Sequence, residues 1–420
     1  MDINGLLQGV KCECGREHTC NIRYVYVERD AARRLPLVLK DFDSILLVAD
    51  ENTYAAAGEL CEQYAAEKIK HRQIFTGAEV LVPNEDAISA VQAKLPGIDF
   101  ILGIGSGVIQ DLCKYISHFA NIPYAVFATA PSMDGYASSG AAMITDGMKV
   151  TYPAGVPYAL LADTRVIKDA PLEMIKAGYG DIIGKYSALN DWKLSALVNG
   201  EYLCPYIYSL TLDMLKAVLP LAKSLLERDE ESIKLLMESL IAVGIAMAFA
   251  GSSRPASGSE HHLSHYYEIT GILDGTGYLP HGIDVLYSTY TTACLREKIA
   301  ATDFPKQEYR QSDEELRREL RRVYTTVADG CYALQQKVGN YKADRYPIYL
   351  ERENEIKKIL SECPSSERIK ELILGIGLDL AEYTSLYGEE KINDAIKYAK
   401  DLKDRYSVLW LYYSLNPVLE

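Results

Sequence analysis

The chain has 420 residues, of which 48% are hydrophobic and 24% charged, and its formal net charge at pH 7 is −14. A chain of this length exceeds what one hydrophobic core usually organises, so we expect two domains. The excess of negative charge argues against nucleic acid as the main partner, because nothing offsets repulsion by the phosphates, although a local basic pocket can still hold a small anion.

The N-terminal stretch has no charged n-region followed by an apolar h-region, so we expect no signal peptide and a cytoplasmic protein. Four of its residues are of zinc-ligating types: Cys12, Cys14, His18 and Cys20. Their C-x-C spacing is tighter than the usual C-x-x-C knuckle, so a small turn before a predicted strand at 21–28 is the preferred interpretation, and zinc is the alternative. The nine cysteines are odd in number and scattered, so we expect no disulfide framework.

Strand and helix patterns alternate in the next part of the chain. Short apolar runs predict strands at 44–49, 72–76, 98–104, 124–128 and 158–163. Helical patterns lie between them at 51–70, 84–95 and 108–120, and 141–152 resembles a hairpin. Because strand and helix alternate, we predict an open, mostly parallel α/β sheet.

Gly103 lies near the end of the predicted strand at 98–104, and Gly105 and Gly107 follow it. A glycine-rich turn lets the backbone approach a pyrophosphate, and the next helix offers unpaired N–H groups and the positive end of its dipole. Asp50 ends an earlier strand and is placed to hydrogen-bond an adenosine ribose, and its charge favours NAD over NADP. The alternatives are an ordinary strand-to-helix turn and an acid that caps a helix.

The segment 129–138, TAPSMDGYAS, follows the strand at 124–128, at the end where open α/β sheets bind ligands. Thr129, Ser132 and Ser138 are candidate cofactor contacts. Asp134 is a candidate contact for a substrate hydroxyl. The alternative is a polar loop with Asx and Ser turns.

Strand patterns fade after Lys168, and we predict an α/β domain over 1–168 and an all-helical domain over 169–420. Helical patterns extend over 171–199, 203–227, 230–250, 259–270, 281–302, 312–339, 349–362, 366–386 and 389–411. The apolar run at 241–250 is too short to span a bilayer and predicts a buried helix, so we expect no membrane insertion.

Four of the seven histidines lie between Arg254 and His281. His261 and His265 are four residues apart and share a helix face, and His281 follows a glycine-rich turn that can return the chain to that face. Two such imidazoles and a third suit a transition metal, and Asp181, near a helix start, would complete an Asp/His/His set. A polar cluster and a dipole-compensating acid are the alternatives.

Together and in this order, these stretches resemble the iron-dependent alcohol dehydrogenase and dehydroquinate synthase superfamily, and within it the bacterial-type sn-glycerol-1-phosphate dehydrogenases. The resemblance covers residues 12–300. It rests on GIGSGVIQD (103–111), TAPSMDGYAS (129–138), GYGDIIGKYSALNDW (178–192), SRPASGSEHHLSH (253–265) and the pair His281–Gly282. It implies a dehydroquinate synthase-like fold, with an N-terminal NAD-binding domain and a helical metal- and substrate-binding domain.

The resemblance also implies residue roles. It implies metal ligation by Asp181, His261 and His281. It implies substrate contacts by Asp134, Asp181 and His265, with Asp134 and His265 as catalytic candidates. Cofactor contacts are implied for Asp50, Gly107, Val108, Ile109, Gln110, Asp111, Thr129, Ala130, Pro131, Ser132 and Ser138. No role is implied for His262.

Departures from related families narrow the expected substrate. Lys185 stands where the alcohol dehydrogenases place a further histidine ligand, and Asp181 stands where dehydroquinate synthases use a glutamate. The run SRPASGSEH, absent from plain glycerol dehydrogenases, favours a phosphorylated substrate. Arg254, assisted by Lys185, is the expected phosphate contact.

The resemblance implies reversible, NAD(P)H-dependent reduction of dihydroxyacetone phosphate to sn-glycerol 1-phosphate, which feeds glycerophospholipid or ether-lipid synthesis. We expect NAD, with NADP as an alternative, one divalent metal ion, zinc or nickel, and a homodimer. Three other functions stay open. They are a polyol dehydrogenase for unphosphorylated substrates, a dehydroquinate synthase-like phosphosugar cyclase or lyase, and a non-catalytic nucleotide-binding protein.

Overall fold

The computed structural model describes residues 2–416. The chain divides into two compact units. The first unit comprises Met1–Ile182 and Ser209–Ser253, and the second comprises Ile183–Tyr208 and Arg254–Glu420. The domain boundary near residue 168 was predicted from the change from strand to helix patterns in the sequence. It stays a prediction.

Among the described residues, ten strands lie in the first unit: β1 (Val10–Lys11), β2 (Glu17–His18), β3 (Tyr24–Glu28), β4 (Ile45–Asp50), β5 (Ile69–Phe75), β6 (Phe100–Gly105), β7 (Tyr124–Ala128), β8 (Gly140–Thr145), β9 (Met148–Pro153) and β10 (Ala159–Asp163). Six of them form one parallel sheet in the order β3-β10-β7-β6-β4-β5. β1 pairs with β2, and β8 pairs with β9, as antiparallel hairpins. The predicted mostly parallel α/β sheet is confirmed.

The burial of each strand follows its position in the sheet. The central strands β6, β7 and β10 are buried along their whole length, which explains their continuous apolar sequences. The edge strand β5 carries exposed polar residues in the sequence IKHRQIF. It begins three residues before the predicted strand at 72–76, because a polar edge strand lacks the apolar run by which buried strands are recognised.

The helices of the first unit are α1 (Ile3–Leu7), α2 (Leu35–Val38), α3 (Glu51–Ala65), α4 (Glu85–Gln92), α5 (Gly107–Ala120), α6 (Thr164–Lys168) and α7 (Leu172–Ile183). Asn84 caps α4, since its side chain accepts from the Ala87 N–H at 3.1 Å. The second unit begins with α8 (Lys185–Asn199). The pattern at 171–199 is therefore two helices, separated at Gly184, and the prediction of one helix was wrong.

The chain then returns to the first unit through α9 (Pro205–Val218), α10 (Ala222–Leu226) and α11 (Glu230–Ala250). Among the described residues, α11 is the one helix long and apolar enough to cross a membrane, with 21 residues and a mean hydropathy of 1.9 in its best window. The apolar segment is therefore longer than the ten-residue run at 241–250 that was identified in the sequence. However, 72% of that window is buried within the protein, as in the core helix that the sequence predicts.

The rest of the second unit is helical: α12 (Ser259–Asp274), α13 (His281–Ala301), α14 (Asp313–Tyr324), α15 (Ala328–Val338), α16 (Tyr346–Glu351), α17 (Glu353–Leu360), α18 (Ser366–Gly375), α19 (Leu380–Tyr398) and α20 (Val408–Leu415). No strand occurs after Asp163 in the chain as far as residue 416. The predicted helical second part is confirmed, while the patterns at 312–339 and 349–362 each contain two helices.

Candidate active site

The carboxyl ends of three neighbouring strands bring the predicted cofactor contacts together in the first unit. β4 lies beside β6 with Val48 opposite Gly103, and β6 lies beside β7 with Gly105 opposite Ala128. The parallel strands therefore end at one edge, where Asp50, the glycine turn and the 129–138 loop begin. Ligands of open α/β sheets bind at this edge.

Two helices leave this edge with different N-termini. Asp50 caps α3, because one of its carboxylate oxygens accepts from the Thr53 N–H at 2.8 Å. At α5 the N-cap residue Ser106 makes no side-chain capping bond. The first-turn N–H groups of α5, from Gly107 onward, thus have no side-chain cap and present the positive end of the helix dipole. Such an end suits a phosphate group.

A buried lysine that the sequence analysis missed holds the 129–138 loop against α5. Lys114 Nζ donates to the carbonyls of Gly135 (2.9 Å) and Gly140 (2.8 Å) and to Ser138 Oγ (3.1 Å). It also forms an ion pair with Asp111 at 3.5 Å. Burial lowers the pKa of Lys114, and the charge of Asp111 opposes that shift. Lys114 lies three residues after Asp111, so the two share one helix face, and this spacing was the available signal.

Other predicted cofactor residues are engaged in shaping the same loop. Gln110 Nε2 donates to the carbonyl of Tyr136 at 2.8 Å. The hydroxyl of Tyr136 donates to the carbonyl of Ala130 at 2.7 Å. Thr129 donates its N–H to the carbonyl of Gly105 at 3.2 Å and is buried, as is Ser132. The loop is therefore a fixed structure built on the glycine turn.

Helix α7 packs against this loop and carries Asp181 in its last turn, so the predicted position near a helix start was wrong. A Cβ atom at Gly178 would overlap the carbonyl oxygen of Pro131, so only glycine permits this approach. The Asp134 N–H donates to Asp181 Oδ2 at 3.0 Å. Both aspartates are buried, and Asp181 has no exposed surface. The structure thus brings two predicted substrate contacts into one hydrogen-bonded pair.

Three histidines cluster in the second unit as the spacing predicts. His261 and His265 lie on one face of α12, and α13 begins at His281. Ring centroids are 6.1 Å apart for His261 and His265, 5.1 Å for His261 and His281, and 5.4 Å for His265 and His281. The Gly-rich turn returns the chain as expected.

Hydrogen bonds at Nδ1 orient two of these imidazoles. Glu260 Oε1 lies 2.6 Å from Nδ1 of His261, and since a carboxylate only accepts, this nitrogen carries the proton. Ser264 Oγ lies 3.2 Å from Nδ1 of His281. In both rings Nδ1 has an oxygen neighbour and Nε2 is the other ring nitrogen, an arrangement that is typical of metal-binding histidines. The donor set fits a divalent metal ion.

Glu260 was not predicted as a site residue, although an acid directly before a candidate ligand in the sequence was a usable signal. Burial disfavours its ionisation, but the hydrogen bond to His261 and the Gly258 N–H donated at 2.8 Å outweigh burial and lower the pKa of Glu260. Glu260 is therefore held as a carboxylate. His262 is fully buried with no hydrogen-bond partner at either ring nitrogen, and burial keeps its pKa well below the usual range.

One carboxylate anchors the start of α12. Asp191 accepts from the Ser259 N–H at 2.6 Å and from the Val408 N–H at 2.9 Å. It also forms an ion pair with Arg296 at 2.9 Å, and all of this is buried. The first turn of the histidine helix is thereby tied to the C-terminal segment, to which the sequence analysis assigned no role.

The residues expected to bind phosphate have partners within the second unit. Arg254 donates from Nε and one terminal nitrogen to the two carboxylate oxygens of Glu201, at 2.8 and 2.5 Å. Lys185 Nζ donates to the carbonyl of Ala256 at 3.0 Å. Arg405 donates to the carbonyl of Ser257 at 2.9 Å. Three cationic side chains thus border the loop that precedes α12.

Comparisons with known proteins agree with these features. A family model described as iron-containing alcohol dehydrogenase matches residues 26–171. A glycerol-1-phosphate dehydrogenase of Halalkalibacterium halodurans that uses NAD(P)+ is 36% identical over 315 residues, covering 71% of this chain and 78% of that protein. One of Geobacillus thermodenitrificans is 30% identical over 379 residues, covering 87% and 86%. The crystal structure of a probable glycerol dehydrogenase from Sinorhizobium meliloti is 15% identical, with a TM-score of 0.61, and covers 95% of this chain and 94% of that chain.

Proposed function

The chain belongs to the family of glycerol-1-phosphate dehydrogenases that use NAD(P)+, and we propose that it reduces dihydroxyacetone phosphate reversibly to sn-glycerol 1-phosphate. The family predicted from the motifs is confirmed, and so is its dehydrogenase chemistry with NAD(P). The observation that carries the proposal is the histidine cluster, in which Glu260 fixes His261 beside His281.

We propose that NAD(P)H binds along the carboxyl edge of the sheet. The N–H groups of the first turn of α5, from Gly107 to Ile109, contact the pyrophosphate, since no side chain caps them. Asp50 contacts the adenosine ribose through the carboxylate that also caps α3, and its charge favours NADH. Further contacts come from Gln110, Asp111, Thr129, Ala130, Pro131, Ser132 and Ser138.

A divalent ion, zinc or nickel, would be held by His261, His281 and Asp181. When bound, it supplies Lewis-acid polarisation of the substrate ketone. His261 and His281 offer Nε2, because their Nδ1 atoms face Glu260 and Ser264. Two observations support Asp181 as a ligand. Its carboxylate accepts from the Asp134 N–H, and it lies next to Ile182, where the chain first leaves the first unit.

We propose that His265 and Asp134 handle the proton. The ring centroids of His265 and His281 are 5.4 Å apart, so His265 lies beside a proposed metal ligand. We propose that His265 itself does not bind the metal ion. In the reductive direction His265 supplies a proton to the ketone oxygen as hydride reaches the carbon, and Asp134 orients the neighbouring hydroxyl.

We propose that the loop before α12 recognises the substrate phosphate. Arg254 donates from Nε and one terminal nitrogen to Glu201, and further N–H groups of its guanidinium are proposed to contact the phosphate. Lys185 and Arg405 are bound to the carbonyls of Ala256 and Ser257 on the same loop, so they add positive charge beside it.

The decisive experiment measures NADH oxidation with dihydroxyacetone phosphate and, separately, with dihydroxyacetone. Activity confined to the phosphorylated ketone, lost on chelation and restored by zinc or nickel, is expected. Equal activity on both ketones would indicate a polyol dehydrogenase. Substrate consumption without net NADH oxidation would indicate a cyclase or lyase. The homodimer stays a prediction that light scattering of the purified protein tests.

A further inference from the structure

The N-terminal hairpin gathers two thiols and an imidazole that the proposed reaction does not use. Between β1 and β2, Cys12 donates its N–H to the carbonyl of Arg16 at 3.1 Å and accepts from the Gly15 N–H at 3.1 Å. Gly15 has a φ of +83°, which favours glycine and permits the tight turn. One ligand atom from each of Cys12, Cys14 and His18 lies within 4.8 Å of those of the other two.

The distance between two of these ligand atoms matches a metal site. Cys14 Sγ lies 3.4 Å from His18 Nε2. A tetrahedral zinc ion, with Zn–S of about 2.3 Å and Zn–N of about 2.0 Å, places such ligand atoms about 3.5 Å apart. A thiol-to-imidazole hydrogen bond accounts for the same distance, so the surroundings of His18 must decide.

The surroundings of His18 favour its role as a metal ligand. His18 is 1% exposed, and its ring stacks on that of Phe249 with ring centroids 5.7 Å apart. His18 Nδ1 lies 3.2 Å from the carbonyl oxygen of Phe249, and because a carbonyl only accepts, Nδ1 carries the proton. Nε2 is then the lone-pair nitrogen and faces Cys14. A backbone carbonyl on the far nitrogen is the usual support of a metal-binding histidine.

We propose that this hairpin binds a structural zinc ion through the thiolates of Cys12 and Cys14 and through Nε2 of His18. Two thiolates neutralise the ion, and thiolate with imidazole is the donor set that zinc prefers. Structural zinc is four-coordinate, so one more ligand completes the site. The ion would fix the two sides of the hairpin together, while His18 joins the hairpin to Phe249 of α11. The ligands differ from the nitrogen and oxygen set proposed for catalysis.

The first experiment separates the two metal sites by mutation. In the His261→Ala/His281→Ala variant, reconstituted with zinc and freed of excess, about one zinc ion per chain is expected to remain. Adding Cys14→Ser should remove it, whereas adding Cys20→Ser, a buried thiol outside the hairpin group, should not. Equal zinc content in both triple variants would overturn the proposal.

The second experiment uses wild-type protein, so it still tests the site if the variants misfold. Wild-type protein is reconstituted with zinc, and the alkylation rates of Cys12 and Cys14 are followed by peptide mass spectrometry. Chelation should accelerate both by at least about tenfold, and Co2+ substitution should give thiolate-to-cobalt charge-transfer absorption. Unchanged alkylation with no such absorption would refute the site. Neither readout depends on enzymatic activity, so its failure leaves the proposed reaction untouched.

Discussion

Glu260 and His261 are adjacent in sequence and hydrogen-bonded side chain to side chain, at 2.6 Å between Oε1 and Nδ1. Neighbours on a helix normally point in different directions. Here the first turn of α12 lets the carboxylate reach back, and it also accepts from the Gly258 N–H. The orientation of the His261 ring, and with it of the proposed ligand atom Nε2, is thereby fixed.

Glu260→Gln should weaken metal binding. The amide retains an acceptor but loses the charge that supports the ring, and removal of such partners typically costs about 10- to 100-fold in affinity. Competition with a chromophoric chelator measures the change. Glu268→Gln, further along α12, is the control. Equal affinities for both variants and the wild type would contradict the role of Glu260.

His261→Ala and Asp181→Asn should each abolish metal retention and turnover while circular dichroism stays unchanged. Each removes a proposed ligand, and Asp181→Asn keeps an oxygen that can accept from the Asp134 N–H. Metal analysis after dialysis is the measurement. His71→Ala, on the exposed part of the edge strand β5, serves as the matched histidine control. Full activity and metal content in His261→Ala would exclude this residue as a ligand.

Gly178→Ala should destabilise the protein by about 1–3 kcal/mol, the usual cost of overpacking, and lower activity. The added methyl group meets the carbonyl oxygen of Pro131, so the 129–138 loop or α7 must move. Urea unfolding measures the change in free energy. Gly155→Ala is the control, because a Cβ there meets nothing within 4 Å. Equal urea midpoints for Gly178→Ala and Gly155→Ala would show that the 129–138 loop accommodates the methyl group without a cost in stability.

Asp50→Asn should shift cofactor preference towards NADPH. The amide keeps the capping bond to the Thr53 N–H but no longer repels a 2′-phosphate. A gain on the order of 10-fold in the NADPH/NADH ratio of kcat/KM corresponds to about 1.4 kcal/mol. Glu59→Gln, an exposed acid on α3, should leave the ratio unchanged. An equal NADPH/NADH ratio of kcat/KM in both variants would show that Asp50 does not contact the ribose.

The sequence predicted best what depends on local pattern. The strand at 124–128 was placed at its observed limits because every residue in it is buried and apolar. The shared face of His261 and His265 followed from helical spacing alone. Helices were merged where one residue interrupts a continuous periodic pattern, as at Gly184 between α7 and α8.

What the sequence left unpredicted depends on contacts between distant segments. Lys114 reads as an ordinary helix residue until the 129–138 loop folds over it. The pairing of Arg254 with Glu201 joins residues 53 positions apart, and no pattern announces it. Such contacts arise from tertiary packing, so they become visible only in the folded chain.

The anchoring of α12 by Asp191 has a consequence for the order of folding during synthesis. Asp191 accepts from the N–H groups of both Ser259 and Val408, and Val408 is synthesised well after the histidines of α12. Chains fold from the N-terminus as they emerge. The nascent chain therefore exposes its sheet and its histidines before the start of α12 is fixed, so binding of the proposed metal ion is expected to follow synthesis of Val408.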